Sequence, residues 1–492
     1  MFPANRIHFI NEAEANTSGK YILYWMTSYR RASYNYSLEY AVEQAKELCL
    51  PLVVFEALRT CYPWSSARMH QFVIEGMQVQ YEHFNKNKIT YLPYVEQKKD
   101  AGKGLLSALS KDAALVVTDV FPTYFLSRMQ SSFSKKHPRL RLVGIDSNGL
   151  MPLKYTERVF SRAYDYRRFV QKELENFILE SPKKDPTADP KLPRKKITFK
   201  NIREKWNFLD DKSLKDVEQI IKDIPFKEDV APGSYRGGHT DAKKKLTRFL
   251  KNSLTSYHDK RNDAQAEGTS FLSPYLHFGH ISAHEVFWAI MKQAKWAPTQ
   301  VSSMRKGQRE GFWGLTPGVE SFLDQLVVWR EIGFNTCAHI DNHDSFDSLP
   351  TWAKESLLLH CDDPKDYVYS LNQLEKSQTH DEVWNAAQRE LVQTGRMHNY
   401  LRMLWGKKIL EWSPSPMEAL ENMIHLNNKY ALDGRDPNSY SGIFWVLGRF
   451  DRAWGPERPI FGKIRYMSSD STIRKLKLKE YLKTYGPQAS LF

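Results

Sequence analysis

The first third of the chain alternates short apolar runs with amphipathic segments, and this order constrains the fold more than any other feature. Segments such as Leu38–Leu48 and Met69–Phe84 carry apolar residues at helical spacing. Strands that alternate with helices form a parallel sheet covered on both faces. We therefore predict a doubly wound α/β domain over residues 1–165, with small ligands bound at the carboxyl ends of its strands. The candidate strands are Tyr21–Trp25, Leu52–Phe55, Ile89–Leu92, Leu115–Thr118 and Leu142–Ile145.

The rest of the chain has a different pattern. Residues 181–196 hold four prolines and an excess of charge, which predicts a poorly packed linker within the range 166–230. Helical periodicity then dominates, so residues 231–492 are predicted to form an all-helical second domain. Within it, residues 295–318 have the mixed charge, Gly and Pro content of a loop insertion.

The chain has 492 residues and a formal net charge of +14. Such a balance favours a polyanionic partner, although a soluble protein with a basic surface has the same composition. The four cysteines show no close pairing and no metal-like spacing, so we expect reduced thiols. We expect a soluble, intracellular protein, since no apolar leader or membrane-length run is present. The cysteines are Cys49, Cys61, Cys337 and Cys361.

Hydroxyl residues precede a Pro-led helix start in the segment 268–279, shortly after Tyr257–Asn262. Free backbone N–H groups at such a start make a phosphate cradle, but an ordinary cap with Ser273 before Pro274 is the commoner explanation of this pattern. The run 322–333 places Gln325, Trp329 and Arg330 within about a turn. It lines a polar-aromatic pocket or forms a buried amphipathic helix.

A third helical segment places Arg402, Trp405, Ile409 and Trp412 on one face. A tryptophan stripe is usually core, yet an arginine within it is costly to bury unless it meets an anion such as Asp433.

The C-terminal segment interleaves basic residues with Phe and Trp, which is typical of a nucleic-acid surface and also of a solvated loop. The basic residues are Arg449, Arg452, Arg458, Lys463 and Arg465. The stretch His339–Asp344 has metal-ligand residue types without further ligands in register, so we interpret it as a plain loop and predict no metal site.

These segments together resemble the photolyase/cryptochrome family. Leu272–Gly279 (Leu-Ser-Pro-Tyr-Leu-His-Phe-Gly), Leu432–Asn438 (Leu-Asp-Gly-Arg-Asp-Pro-Asn) and Phe461–Met467 (Phe-Gly-Lys-Ile-Arg-Tyr-Met) are similar to the class II branch in particular. The match is dense from Tyr257 to Met467 and weaker before it, where Tyr24–Met26 is a recognisable fragment. The resemblance implies an N-terminal α/β domain, a long linker and a helical FAD domain, as predicted independently above.

The resemblance also implies roles for residues. It implies that Arg402 and Asp433 pair beside the isoalloxazine ring, that Asn427 faces the flavin N5 and that Gln325 acts in the site. It also implies that a tryptophan chain reduces the flavin, with Trp405 nearest the flavin, then Trp384, then Trp412. The remaining implied FAD-binding residues are Tyr257, Thr269, Ser270, Phe271, Leu272, Ser273, Arg330 and Asp436.

The implied reaction is light-driven splitting of cyclobutane pyrimidine dimers in UV-damaged DNA, with the dimer flipped out of the duplex. Met403 and Asn399 stand where the related (6-4) enzymes carry histidines, which disfavours (6-4) repair. The residues implied to contact the dimer or DNA are Trp329, Met403, Trp445, Arg261, Asn262, Arg449, Arg452 and Arg465.

Two departures from the class II pattern leave alternatives open. Dimer photolyases usually carry Glu where this chain has Gln325, and the run Thr27–Arg31 also differs. A class II-like photosensor with little repair is therefore an alternative, as is a basic nucleic-acid-binding protein with a vestigial flavin site. A deazaflavin or folate antenna is possible in the N-terminal domain, and we expect a monomer.

Overall fold

The predicted alternation of strands and helices is present in the computed structural model, which describes residues 2–266 and 268–487. The chain divides into two units. The first comprises the residues up to Thr156, with Asn176–Leu246 and Leu272–Ala289. The second comprises Glu157–Glu175, Thr247–Phe271 and the residues from Ile290 onward. The domain boundaries proposed from the sequence stay a prediction.

A six-stranded sheet forms the centre of the first unit, in the order β1-β6-β5-β2-β3-β4. All five predicted strands are confirmed, and each is buried along nearly its whole length, as expected for strands covered on both faces. The sheet is not wholly parallel, because a sixth, unpredicted edge strand pairs antiparallel to β6. That strand has three residues, too few for a periodic signal. The strands are β1 Ile7–Phe9, β2 Tyr21–Met26, β3 Leu52–Leu58, β4 Thr90–Val95, β5 Ala113–Asp119 and β6 Leu142–Ile145.

Helices cover the sheet, and the two predicted ones are confirmed with slightly wider bounds as α1 and α2. Helices α9 and α12 each contribute residues to both units. The helices of this unit are α1 Tyr36–Glu47, α2 Ala67–Lys86, α3 Leu105–Ser110, α4 Leu126–Lys136, α6 Lys200–Lys205, α7 Asp211–Leu214, α8 Val217–Lys222, α9 His239–Asn252, α11 Ser273–His277 and α12 Ala283–Gln293.

The Pro-rich segment 181–196 is mostly exposed or half-buried, as expected of a linker or surface excursion, but it is anchored at two points. Leu192 is 2% exposed and belongs to the hydrophobic core beside the sheet. Asp189 accepts a charged hydrogen bond from Lys46 of α1 at 2.6 Å. Proline and charge content indicate only local conformational preferences. Whether one leucine of the segment packs into a core depends on the tertiary structure.

The segment Thr27–Arg31, whose sequence differs from the class II pattern, lies at the carboxyl end of the sheet within the first unit. The Asp119 carboxylate at the end of β5 accepts the backbone N–H groups of Thr27, Ser28 and Tyr29 at 2.8, 2.8 and 3.0 Å. The Arg31 guanidinium is fully buried and donates to the Gly279 carbonyl at 3.0 Å. These hydrogen bonds satisfy buried polar groups, so this segment is structural here.

The second unit is helical, as predicted, and includes a π-helical turn over Asp324–Trp329. Across the part of the chain that the structure describes, no helix has the length and apolarity needed to cross a bilayer. The helices of this unit are α5 Ala163–Glu173, α10 Tyr257–Lys260, α13 Pro317–Leu323, α14 Arg330–His339, α15 Thr351–Leu359, α16 Leu371–Glu375, α17 Glu382–Thr394, α18 Asn399–Trp412, α19 Pro416–Tyr430, α20 Pro437–Val446, α21 Ser469–Lys475 and α22 Lys479–Tyr485.

The predicted loop at 295–318 lacks regular structure apart from a short 3₁₀ turn and the start of α13. It is nevertheless well held. The Glu320 carboxylate accepts backbone N–H groups from Phe312, Trp313 and Leu315 at 3.1 to 3.2 Å. A buried carboxylate therefore organises the loop from within α13.

Candidate functional site

An ion pair joins helix α18 to the loop that follows α19. Arg402 Nη2 donates to Asp433 Oδ1 at 3.2 Å, and the two side chains are 18% and 17% exposed. The structure thus gives the arginine of the tryptophan stripe the anion that its partial burial requires. Both groups keep some access to solvent, so the pair can also meet a polar ligand.

Asn427 lies in the last turn of α19 and is buried. Its Nδ2 donates to Ser439 Oγ in α20 at 2.7 Å, which fixes the orientation of the amide. The residue is separated from Asp433 by one short connection, so an oriented amide and a partly exposed ion pair lie on the same two-helix element.

The Leu432–Asn438 motif is that connection. The Asp436 side chain accepts from the Asn438 N–H at 2.8 Å and caps α20, and Pro437 occupies the first helical position. The backbone N–H of Arg435, a residue with φ of +68°, donates to Asn428 Oδ1 at 2.9 Å. Capping explains the Asp-Pro-Asn sequence locally and holds the loop that carries Asp433 in place.

The three predicted tryptophans form one continuous chain of rings. Trp405 and Trp384 are stacked, with ring centres 6.5 Å apart and planes at 2°. Trp384 and Trp412 meet edge to face at 5.6 Å. Hydrogen bonds fix the first two indoles: Trp384 Nε1 donates to the Trp405 carbonyl at 3.0 Å, and Trp405 Nε1 donates to Gln388 Oε1 at 2.9 Å. The stripe is therefore both a packed core and a path of adjacent π systems that starts one turn from Arg402.

Gln325 and Trp329 lie on the π-helical turn, where the N–H of Arg330 donates to the Gln325 carbonyl five residues earlier. One extra residue per turn rotates these side chains relative to a regular helix, and such turns recur at functional sites. The neighbouring Asp324 carboxylate is held by two hydrogen bonds from Arg167 of α5, at 2.6 and 3.0 Å. Both Gln325 and Trp329 are half-buried, whereas Arg330 is buried against the ring of Phe334 at 4.3 Å.

The residues predicted to form the phosphate cradle do not all lie in the same unit. Tyr257 is buried against Phe322, with ring centres 5.3 Å apart, and burial raises the pKa of its phenol to about 12. The Arg261 carbonyl lies 3.2 Å from the His398 Nε2 at the start of α18. Arg261 and Asn262 are both half-buried.

Residues 268–271 continue this segment. A methyl group built on Gly268 would lie 2.7 Å from the Lys260 carbonyl oxygen, so only glycine permits this close approach. Thr269 and Ser270 are half-buried. Phe271 has φ of +56°, and its ring lies 4.2 Å under the Arg396 guanidinium.

Leu272 and Ser273 belong to the first unit. There, Leu272 is buried and Ser273 is an exposed residue that begins α11. The sequence reading of Ser273 as the cap is off by one residue, which is within the fraying of helix ends.

Helices α18 and α20 leave a space between Met403 and Gly442. A methyl group built on Gly442 would meet nothing closer than the Met403 Cε, at 3.8 Å. Trp445, one turn further along α20, is half-buried, and its ring faces the Arg465 guanidinium at 5.5 Å. Two of the predicted pocket residues, Met403 and Trp445, are therefore on neighbouring helices with room beside them.

The predicted nucleic-acid surface is organised around Trp454. The Arg465 and Arg452 guanidiniums lie 4.0 and 4.6 Å from its ring centre. Arg465 also donates to the Asp451 carboxylate at 2.9 Å. Stacked guanidiniums and a half-buried indole are suited to phosphates and bases.

Arg449 does not belong to this surface. It is buried over the Phe444 ring at 3.8 Å and donates to the carbonyls of His343 and Ser348 at 3.1 and 3.2 Å. Burial lowers the pKa of its guanidinium to about 10. Its place in a basic run suggested a DNA contact, but the structure makes it a link between α20 and the loop 340–348.

Two features of this unit escaped the sequence analysis. Lys407, in the middle of α18, is completely buried, donates to the Val446 carbonyl at 2.5 Å and faces the Trp445 ring at 5.2 Å. A lysine between a glycine and a second lysine gave no signal of burial. The pairing of Arg167 with Asp324 joins residues 157 positions apart, which only the tertiary fold brings together.

Comparison with known proteins gives no matching family model. The chain is 33% identical over 485 residues to a deoxyribodipyrimidine photo-lyase of Methanothermobacter thermautotrophicus, covering 98% of each chain. It is 32% identical to one of Arabidopsis thaliana, over 94% of this chain and 88% of that protein, and 29% identical to one of Potorous tridactylus, over 99% and 85%.

Among solved structures, a class III photolyase from Agrobacterium tumefaciens has a similar fold. The TM-score is 0.68, with 18% identity over 96% of this chain and 87% of that one. At this identity the similarity concerns the fold alone.

Proposed function

Because the chain belongs to the photolyase/cryptochrome family, we propose that it splits cyclobutane pyrimidine dimers in DNA with blue light and bound FAD, as a class II enzyme. The observation that carries the proposal is the unbroken ring path Trp405–Trp384–Trp412, which begins one turn from the Arg402–Asp433 ion pair. A path of adjacent indoles that ends at a polar, partly exposed site is the arrangement that photoreduction of a bound flavin requires.

Members of the family bind FAD, and the residues of the helical unit fit that group. The oriented Asn427 amide and the Arg402–Asp433 pair offer hydrogen-bond partners of both kinds to a flavin ring. The half-buried Thr269 and Ser270 follow a tight backbone approach and are donors of the type that hold a diphosphate. When bound and reduced, FAD supplies the photoexcited electron that splits the dimer.

The protein's own contribution is to hold DNA and the damaged bases. Arg452 and Arg465 bind phosphates beside Trp454. The dimer leaves the duplex, at a lower cost than for intact bases because it stacks poorly. Met403 and Trp445 then bind it beside the space that Gly442 leaves open.

Gln325 determines how efficient this repair is. Its amide donates a hydrogen bond to a dimer carbonyl, but unlike the carboxyl group of Glu it cannot give up a proton. This residue is the one observation that favours a second function, a photosensor that binds FAD and repairs little.

The test illuminates the reduced, full-chain protein without oxygen, together with an oligonucleotide that carries one cyclobutane thymine dimer. We expect thymine absorbance to return in blue light and not in the dark, and we expect Gln325→Glu to raise the rate if repair is weak. The matched control is Gln219→Glu, which makes the same change at an exposed position of α8 in the other unit and should leave the rate unchanged.

Bound, photoreducible FAD without restored thymine would identify the photosensor. Failure of the folded protein to bind FAD would refute both functions. An unchanged or lower rate in Gln325→Glu would remove Gln325 as the limiting feature.

A further inference from the structure

A buried amide holds the first indole of the proposed tryptophan path. Gln388 is completely buried in α17, one helical turn after Trp384, so the two side chains lie on the same face of that helix. The Gln388 carbonyl oxygen accepts the Trp405 Nε1–H from α18 at 2.9 Å. In return, the Trp384 Nε1–H donates to the Trp405 backbone carbonyl at 3.0 Å. These two hydrogen bonds cross the same pair of helices and hold the stacked rings with their planes at 2°.

The indole partner fixes the orientation of this amide. An indole N–H only donates, so the Gln388 oxygen faces Trp405 and the NH₂ group points away from it. The Gln388 Nε2 meets no hydrogen-bond partner among the described residues. A proton taken up by the oxygen therefore has no onward route through the nitrogen. The amide is an end point for the Trp405 hydrogen bond and does not form part of a proton relay.

Neither of the two stacked indoles is bonded to a base. Trp384 is fully buried and Trp405 is nearly so, which keeps bulk water away from both rings. In the part of the chain that the structure describes, both indole N–H groups donate to neutral carbonyl oxygens and to no carboxylate or imidazole. Glu390, the acidic residue nearest to Gln388 along α17, instead accepts the Tyr481 hydroxyl at 2.7 Å and the His398 N–H at 3.0 Å. The site therefore holds the two indoles with acceptors that do not take up protons.

We propose that Gln388 is a positioning residue that keeps the N–H proton on Trp405 when this ring is oxidised; the inference rests on the proposed function. An indole that has lost an electron is a much stronger acid than a neutral indole. A base held within about 2.6–3.2 Å would take its proton, whereas the neutral amide oxygen holds the ring without taking it. Because a deprotonated indole radical is a weaker oxidant, proton loss at Trp405 would stop the path at its first member.

With the proton retained, the step between the stacked rings is balanced as an electron transfer alone. Trp405 gives one electron to the light-excited flavin and becomes a radical cation. Trp384 then gives one electron to Trp405, which returns to a neutral indole, while no bond breaks and no proton moves. Trp412 replaces the electron of Trp384, and a dissolved thiol supplies the last electron. Throughout the step, the Trp405 N–H stays donated to the Gln388 oxygen.

The test compares bases with a non-basic side chain at position 388, in full-chain protein loaded with FAD. Gln388→Glu and Gln388→His place a base at the Trp405 N–H, whereas Gln388→Met has a similar length and no basicity. Each change is also combined with Trp384→Phe, which interrupts the path and confines the radical to Trp405. Transient absorption after a light flash then distinguishes the protonated radical, which absorbs at longer wavelength, from the deprotonated one. The yield of photoreduction is measured with Trp384 in place and with thiol present.

We expect the unmodified protein and Gln388→Met to form the protonated Trp405 radical and to keep most of the photoreduction yield. The Glu and His variants should form the deprotonated radical, more slowly in deuterated than in ordinary water, and should lose most of the yield while FAD stays bound. Glu adds a buried negative charge and His does not, so either variant that retains FAD decides the question. The matched control is Gln171→Glu, which changes a buried amide of the same unit bonded to Gly307 and Gln308 and should keep the yield.

A protonated radical and an unchanged yield in the Glu and His variants would overturn this inference and leave the proposed function intact. A loss of yield in Gln388→Met as large as in the base variants would also overturn it, because packing alone would then explain the role of the amide. If no tryptophanyl radical forms in the unmodified protein although FAD is bound, the proposed electron path is wrong and the inference falls with it.

Discussion

Lys407→Met should make the protein more stable at neutral pH, and the effect should fade as the pH rises. The amine is completely buried, and burial lowers its pKa from 10.5 to about 7, against the attraction of Asp451 and in the same direction as the repulsion of Arg465. Methionine has a similar length, no charge and no titration. The substitution therefore removes the pH-dependent cost of a charge in this core.

The magnitude follows from the two pKa values. Between about pH 7 and pH 10.5 the unfolded chain binds one more proton than the folded chain, so the free energy of unfolding rises with pH. The slope approaches about 1.4 kcal/mol per pH unit, which gives about 2 kcal/mol between about pH 7 and about pH 9. The Lys407→Met protein lacks this rise in the free energy of unfolding. It also lacks the hydrogen bond to the Val446 carbonyl, which is worth about 1 kcal/mol at every pH.

The assay is the thermal midpoint of both proteins measured across this range. For a helical unit of this size, the difference between the two midpoints should change by about 5 °C from about pH 7 to about pH 9. The midpoint of the unmodified protein should rise relative to that of Lys407→Met. Lys463→Met, which removes an exposed lysine, is the control and should show no such trend. Parallel pH curves for Lys407→Met and the unmodified protein would refute the reasoning, because they would mean that Lys407 does not titrate in this window.

Three further changes probe the site. Trp405→Phe should slow photoreduction of bound FAD without reducing FAD content, whereas Trp296→Phe, a buried indole outside the path, should not; equal rates would refute the electron path. Gly442→Ala should raise the free energy of unfolding by about 0.5–1 kcal/mol, because it replaces glycine in a helix interior. The same change should weaken binding of dimer-containing DNA, and unchanged binding would exclude the space beside Met403 as the dimer pocket. Arg452→Ala should lower DNA affinity and reduce the salt slope by about 1; an unchanged slope would remove it from the phosphate contacts.

Local sequence patterns were enough to predict most of the secondary-structure architecture. Alternating apolar runs predicted five strands because a strand buried on both faces must be apolar along its length, whatever its neighbours are. The i, i+3, i+10 spacing put Arg402, Trp405 and Trp412 on one face of α18, because helix geometry depends only on adjacent turns. The capping sequence around Asp436 and Pro437 likewise acts within a few residues. Each of these signals is short in range, so the chain carries it directly.

The tertiary structure alone decided which polar groups are buried and what they meet. Arg449 and Arg452 stand three residues apart in one basic run, yet the first is satisfied by carbonyls of a distant loop and the second stacks on an exposed surface. Lys407, Leu192 and the pair of Arg167 with Asp324 gave no local signal for the same reason. Burial depends on segments that are far apart in sequence, and the free energy of a charge is set by those partners. The sequence by itself therefore determined the elements and the candidate chemistry, and the packing decided which of the candidates face a ligand.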